Sequence, residues 1–369
     1  MKKTLLSLAL VLLCCSGAFC QNSALKFIDA SELNIIGKPF PNTPCVYQRV
    51  DTTMFKGFTT TENNQLRCPV GMAVLFRTDS RSIVISSKWG YVYGGVSTTA
   101  VSYRGFDLYI RDAKGEWTNA ASGAPSGSDL TSPGNLKLIT DMDGTFHDCM
   151  LYLPMYSELK ECRIGVDSGA SIEPLESPFR HRIVVYGSSF TQGVSTSRSG
   201  MSWPMQFMRR NGLQVVSMAA SGRCMMQPYY TDVLEKIEAD AFIFDTFSNP
   251  NDSLIRARLM PFIDRLIAAH PGKPLIFQRT IYREGRNFNT AVEERERAKA
   301  EAVEEMFAKM KSTKEGREKY RDVYLITPNA SERHETSVDG THPDDYGYTL
   351  WCRSIEKPVL RILKKYGIR

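Results

Sequence analysis

Ile183-Val184-Val185-Tyr186-Gly187-Ser188-Ser189-Phe190-Thr191-Gln192-Gly193 is an apolar run that breaks, at a glycine, into small and polar residues. Four consecutive apolar residues with β-branched character predict a strand buried on both faces. Gly187 and Gly193 predict a sharp turn after it, because glycine tolerates backbone conformations that other residues avoid. Ser189 then stands just beyond the carboxyl end of a strand, where reactive groups gather in parallel sheets.

The same alternation continues to the C-terminus. Apolar strand candidates recur at Val215–Met218, Ala241–Phe244, Pro274–Phe277 and Val323–Ile326, and helical stretches at Trp203–Arg210, Thr231–Glu238, Ser253–Ala269, Ala291–Met310 and Tyr346–Lys365. Strands alternating with helices predict an α/β fold, a parallel sheet covered on both faces in three α/β/α layers, over residues 178–369.

Upstream the text changes character. Short runs such as Ala73-Val74-Leu75-Phe76, Ser82-Ile83-Val84-Ile85 and Gly105-Phe106-Asp107-Leu108-Tyr109-Ile110 are rich in β-branched and aromatic residues. Polar clusters read as turns separate them, among them Thr61-Glu62-Asn63-Asn64 and Ser122-Gly123-Ala124-Pro125. Short strands at roughly ten-residue spacing predict an antiparallel β-sandwich, jelly-roll-like, over residues 21–177. A hinge-like stretch, Glu173-Pro174-Leu175-Glu176-Ser177-Pro178, joins the two parts.

The first twenty residues carry Lys2 and Lys3, an apolar centre from Leu5 to Leu13 and small residues before Gln21. That pattern predicts a secretory signal peptide, residues 1–20, cleaved after Cys20. The apolar stretch is too short to span a bilayer, and Phe19 and Leu13 are the wrong neighbours for a lipidated Cys20 or Cys14. The expected protein is therefore secreted or periplasmic, with no stable membrane insertion. The net charge of +6 includes Lys2 and Lys3 and is scattered, so nucleic acid is not an expected partner. Six cysteines lie beyond the signal, and export permits disulfides, with Cys45–Cys68 and Cys149–Cys162 the local pairings and Cys224 and Cys352 read as buried thiols.

A serine at a strand-to-helix corner needs a base to become a nucleophile. The chain has five histidines. His342 stands in Asp339-Gly340-Thr341-His342-Pro343, where Asp339 can orient the ring if the loop turns. His334 is the reserve candidate; His147, His181 and His270 lie in the β part, before the first α/β strand and at a helix end. No cluster has metal-ligand spacing, and no cofactor is called for.

These motifs resemble those of the SGNH (GDSL-type) hydrolases, which carry four short blocks in this order. Gly187–Gly193 is similar to the first, with Ser189 as nucleophile and Ser188 where Asp is commoner. Ser221-Gly222 matches the second, whose Gly222 N–H donates to the oxyanion together with the N–H of Ser189. Asp245-Thr246-Phe247-Ser248-Asn249-Pro250 matches the third, whose Asn249 is the last oxyanion donor; Phe247 replaces a usual Gly and Pro250 a usual Asp. Asp339 and His342 fall in the acid and base positions of the fourth. Gly105-Phe106-Asp107-Leu108-Tyr109 resembles the Gly-x-Asp-Leu-Tyr signature of a β domain that precedes this hydrolase type in bacteria, and Asp107 is read as a structural carboxylate.

The resemblance implies a serine ester hydrolase acting on short acyl esters, acetyl above all, of an acylated small molecule or glycan. Two other readings stay open: a lysophospholipase or thioesterase, and a non-catalytic glycan-binding surface protein with a degenerate hydrolase domain, which the altered third block keeps alive. Trp203 and Trp351 are read as core residues rather than a sugar platform, since both fall in helical segments.

Overall fold

The computed structural model describes residues 24–127 and 129–369; the expected signal peptide, residues 1–20, lies outside the described residues. Ten strands come first: β1 (Leu25–Asp29), β2 (Asn34–Ile36), β3 (Ala73–Thr78), β4 (Ile83–Val92), β5 (Phe106–Arg111), β6 (Trp117–Gly123), β7 (Leu136–Ile139), β8 (His147–Tyr152), β9 (Ser157–Asp167) and β10 (Ile172–Pro174). They form two antiparallel sheets, β1-β9-β4-β7 and β10-β3-β8-β5-β6, with β2 paired to β3. Two short helices interrupt them, α1 (Thr60–Leu66) and α2 (Ala100–Arg104).

The α/β part holds β11 (Arg180–Gly187), β12 (Leu213–Ser217), β13 (Ala241–Asp245), β14 (Leu275–Gln278) and β15 (Val323–Ile326), all parallel and ordered β12-β11-β13-β14-β15. Its helices are α3 (Ser189–Gln192), α4 (Trp203–Asn211), α5 (Pro228–Leu234), α6 (Asp252–Ala269), α7 (Thr290–Met310), α8 (Lys314–Lys319) and α9 (Asp345–Lys364). The chain leaves β11 for one neighbour, β12, and later returns to the other side as β13. Ser189 thus sits where the strand order reverses, the position at which open α/β sheets build their sites.

The period of two along a strand explains the three layers. Ile183 and Val185 join Trp203, Phe207, Trp351 and Ile355 in one core, while Val184 and Tyr186 join Leu259, Phe262 and Met306 in the other. Helix α9 buries Tyr348, Trp351, Cys352, Ile355, Val359 and Ile362 at three- and four-residue spacing, a stripe facing the sheet. Each such large side chain contributes about 1.5–3 kcal/mol by leaving water. Trp203 and Trp351 are fully buried and stacked, ring centroids 5.6 Å apart, as core residues.

The same alternation joins the two parts of the molecule. In β3, Val74 and Phe76 point into the core between the antiparallel sheets, whereas Ala73 and Leu75 belong to the core containing α4 and α9. Met150, Tyr152 and Tyr109 follow Ala73 and Leu75. The continuous apolar reading of β3 has this cause: both its faces are buried, one of them by the α/β part.

Several local expectations change. Thr61-Glu62-Asn63-Asn64 is helix α1, not a turn; Thr59 and Glu62 form a reciprocal capping box at its start, which outweighs the polar, turn-like composition. Ser122 and Gly123 end β6. Glu173 and Pro174 lie in β10, paired to β3, and Leu175 N–H donates to Leu75 O, so the hinge-like stretch begins inside the sheet. His181 falls within β11 rather than before it. All six described cysteines are free. Cys149 lies on β8 and Cys162 on β9, in different sheets but one core, and burial pushes the Cys149 thiol up to about 12. Cys45 Sγ instead approaches the Leu159 carbonyl, and Cys68 packs on Val70 and Ala219. Among the described residues no helix is long and apolar enough to cross a membrane.

Candidate active site

Ser189 opens α3, directly after β11. Ser188 caps that helix, its Oγ accepting from Phe190 N–H at 3.2 Å, and Gly193 ends it with φ +93°. Gly187 does a different job from the expected turn. A Cβ there would lie 2.0 Å from Thr191 Oγ1 and 3.0 Å from Asp245 Cβ, so glycine is required for close approach.

The structure brings the three expected residues together. Ser189 Oγ lies 2.9 Å from His342 Nε2, and His342 Nδ1 lies 2.8 Å from Asp339 Oδ2. The carboxylate can only accept, so Nδ1 carries the proton and Nε2 is left as the acceptor for the Ser189 hydroxyl. Asp339 Oδ1 also accepts the backbone N–H groups of Thr341 and His342 at 3.0 and 2.8 Å. Burial works against ionisation of Asp339, but these bonds from His342 and Thr341 outweigh it and hold the carboxyl below its ordinary value. Gly340, at φ +76°, makes the turn that lets residue 339 reach the ring of residue 342. His334, the reserve candidate, is exposed, its ring 4.6 Å from that of Tyr282. His147 pairs with Asp143, His181 with Asp240, and His270 with the Leu234 carbonyl.

The other two expected donors lie on neighbouring loops. Gly222 has φ +68°, a conformation that favours glycine, and open space where a side chain would stand. Asn249 turns its carboxamide oxygen to Cys224 N–H at 3.1 Å, which fixes the amide orientation and directs the NH₂ group elsewhere. The substitutions at Phe247 and Pro250 therefore leave Asn249 anchored; Phe247 is simply buried, packed against Phe277 and Phe307.

Asp245, at the head of the Asp245–Pro250 stretch, is a further part of the candidate site. It ends β13 in register with Gly187 and is fully buried. Its Oδ2 accepts from Ser188 Oγ at 2.8 Å and Thr191 Oγ1 at 3.0 Å, its Oδ1 from Ser248 Oγ at 3.0 Å. The carboxylate missing at position 188 is thus supplied by the adjacent strand. Burial raises its pKa, and the bonds from Ser188, Thr191 and Ser248 offset only part of that. A lone Asp closing the apolar run Ala241–Phe244 was the available signal.

Asp107 is a structural carboxylate, as expected, but one that reaches across the molecule. Its Oδ2 accepts from Gly200 N–H at 2.8 Å and pairs with Arg198 at 3.2 Å, while Asn119 and Ser122 hold Oδ1. Tyr109, on the same face of β5, bonds Arg198 and lies under Arg209. A large cavity of about 650 Å³ lies at the opposite, amino-terminal ends of the strands. The guanidinium there, Arg182, is already engaged by Gln214 and the carbonyls of Lys38, Pro39 and Glu238. No group of His, Cys, Asp and Glu among the described residues could hold a metal ion.

Residues 180–361 match the profile of the GDSL-like lipase/acylhydrolase family, and residues 25–172 match the N-terminal domain of SGNH-type esterases named for its Gly-x-Asp-Leu-Tyr motif. A Bacteroides ovatus protein described as a GDSL-like lipase is 33% identical, with a TM-score of 0.87 over 92% of this chain and 98% of its own. The chain belongs to the GDSL-like lipase/acylhydrolase family. As such it is a serine ester hydrolase. Two more distant structures share the fold. One is the salicylyl-acyltransferase SsfX3 from a tetracycline biosynthetic pathway (16% identity, TM-score 0.67, 94% of this chain and 99% of that one). The other is a family two carbohydrate esterase from Cellvibrio japonicus (12% identity, TM-score 0.59, 93% and 99%). No curated protein matches the sequence.

Proposed function

We propose that Ser189, His342 and Asp339 act as a catalytic triad that cleaves short acyl esters, acetyl above all, from carbohydrates outside the cytoplasm. The observation that carries this reading is the 2.9 Å approach of Ser189 Oγ to His342 Nε2, with Asp339 behind the ring. In the first half-reaction Ser189 Oγ attacks the ester carbonyl and its proton passes to Nε2. The N–H groups of Ser189 and Gly222 and the Asn249 amide meet the oxyanion. The intermediate collapses, and His342 returns the proton to the departing alkoxide. Water, deprotonated by the same ring, then cleaves the acyl-enzyme and restores the serine.

Three considerations support the substrate class: the export expected from residues 1–20, the Gly-x-Asp-Leu-Tyr domain ahead of the hydrolase, and a fold shared with carbohydrate esterases. A longer acyl chain is the second reading, and one feature favours it. Phe288 is fully exposed and Val338 half-exposed on two segments joined by the Gly285 N–H to Gly340 O bond, the second of them the His342 loop itself. An acyl-length series from acetyl to octanoyl chromogenic esters on purified protein, followed by acetate release from acetylated glycans, separates them. The proposal expects acetyl to be preferred and Ser189→Ala to be inactive on every ester; a preference for octanoyl transfers the enzyme to the lipid or thioester readings. Turnover that survives Ser189→Ala removes the triad altogether.

A further inference from the structure

The Ser221-Gly222 loop is held largely from outside the α/β part. Arg49 is fully buried, and no carboxylate among the described residues pairs with it. Its guanidinium spends its donors on carbonyls: Nη1 on Ser217 O and Ala219 O, both at 3.0 Å, Nε on Cys68 O at 2.9 Å, and Nη2 on Gln65 O at 2.7 Å. Gln65 in turn donates from Nε2 to Ser221 O at 2.9 Å. Two side chains of the N-terminal part therefore seize three carbonyls within five residues, ending immediately before Gly222.

The contacts of this loop run onward to the other proposed oxyanion donors. Ser221 N–H donates to Gln192 Oε1 at 3.0 Å, on the helix that Ser189 opens. Gln192 Nε2 donates to Met155 O at 3.0 Å, a second tie to the β part. Cys224 N–H holds the Asn249 carboxamide. A bare guanidinium in the interior is costly, and burial lowers the Arg49 pKa to about 10. A planar fork bridging fixed carbonyls is the geometry that lysine cannot reproduce.

We infer that Arg49 and Gln65 are positioning residues for the oxyanion site: the N-terminal domain sets the height and tilt of the Gly222 N–H, and through Cys224 the pose of Asn249. This inference rests on the triad reading proposed above. The β domain is then part of the catalytic machinery's frame and not a detachable accessory.

The test uses the full-length chain with Gln65→Leu, Arg49→Lys and Arg49→Met, and Arg77→Ala as a control on a surface pair with Asp148, remote from the site. Deleting a donor outright costs roughly 10²–10³ in rate, so Gln65→Leu, which only frees the loop, is expected to lower kcat about tenfold. KM should stay within about twofold and thermal stability near that of wild type, with Arg77→Ala unchanged. Methylboronic acid, whose serine adduct places an oxygen in the oxyanion site, should bind more weakly by the factor lost in kcat/KM. A merely structural role would not move that inhibition constant together with kcat/KM. Arg49→Lys should lie between wild type and Arg49→Met; should Arg49→Met not fold, Gln65→Leu decides alone. Gln65→Leu with wild-type kcat and boronate affinity overturns the inference while leaving the triad intact. A wild-type protein that neither hydrolyses the acetate ester nor binds boronate overturns the triad reading, and the inference with it.

Discussion

Two loops converge on Ser189, and they are held in opposite ways. The loop from Ser337 to Pro343 is tied mainly within itself, with one bond from outside, Gly285 N–H to Gly340 O. Asp339 accepts two backbone N–H groups two and three residues ahead, Ser337 Oγ accepts Gly340 N–H, and Val338 N–H donates to His342 O. The loop from Ser217 to Cys224 has its carbonyls occupied by Arg49 and Gln65, some 150 or more residues away along the chain. The proposed base is built by local sequence, the proposed oxyanion loop by tertiary contact. A self-tied loop keeps its shape wherever it docks, whereas one held from outside is only as well placed as its neighbour.

The largest expected effect lies in the self-tied loop. Asp339→Asn keeps the shape of the turn but presents an amide to the imidazole and disfavours the useful tautomer, so kcat should fall by roughly 10⁴, with the fold unchanged by circular dichroism. A loss below about tenfold would mean that His342 is oriented by something else. Next comes Asn249→Ala, expected to cost roughly 10²–10³ in kcat. Activity within about threefold of wild type removes Asn249 from the oxyanion site and sharpens the comparison, leaving the externally held loop to act through Gly222 alone.

A smaller effect tests the self-tied loop as a spring. Gly340 has φ +76°, so Gly340→Ala should destabilise the turn by about 1–2 kcal/mol and lower kcat while leaving boronate geometry at Gly222 intact. A variant with normal kcat shows that the turn does not depend on glycine.

The smallest effect is on stability and concerns Asp245, whose buried carboxyl accepts from Ser188 and Thr191 on either side of Ser189. Its folded pKa is raised above the ordinary 3.8, so between those two values the folded state keeps a proton that the unfolded chain has released. Stability from this group therefore declines as pH rises through that window. Asn at this position has no such decline. In urea unfolding series from about pH 4 to pH 7, the stability of Asp245→Asn relative to wild type should improve as pH rises. A constant or opposite trend would show that the Asp245 carboxyl is not raised.

How much was legible follows the same division. The apolar run Ile183–Tyr186 declared a strand because both its faces are buried, and Asp339-Gly340-Thr341-His342 declared a paired carboxylate and imidazole, the proposed orienter and base, because their contacts lie within three residues. Asp245 was readable in principle but looked like a strand end, since its partners Ser188 and Thr191 lie on another strand's loop. Helix α1 was masked by polar composition, although its capping box stood in the text as Thr59 and Glu62. Arg49 carried no signal: one arginine among the chain's basic residues looks like any other until its surroundings are known.

By itself, then, the chain's order of residues determined the two sheet types and the layered α/β arrangement and singled out the candidates for nucleophile, base and acid, because strand periodicity and short-range turns are local properties of sequence. Only the tertiary structure decided that β3 is buried on its second face by the other domain, that Asp107 and Tyr109 hold Arg198, and that Arg49 fastens the Gly222 loop. Those contacts depend on which surfaces meet once both cores have formed, and a buried polar group reveals its partner only when that meeting leaves it no water to bond instead.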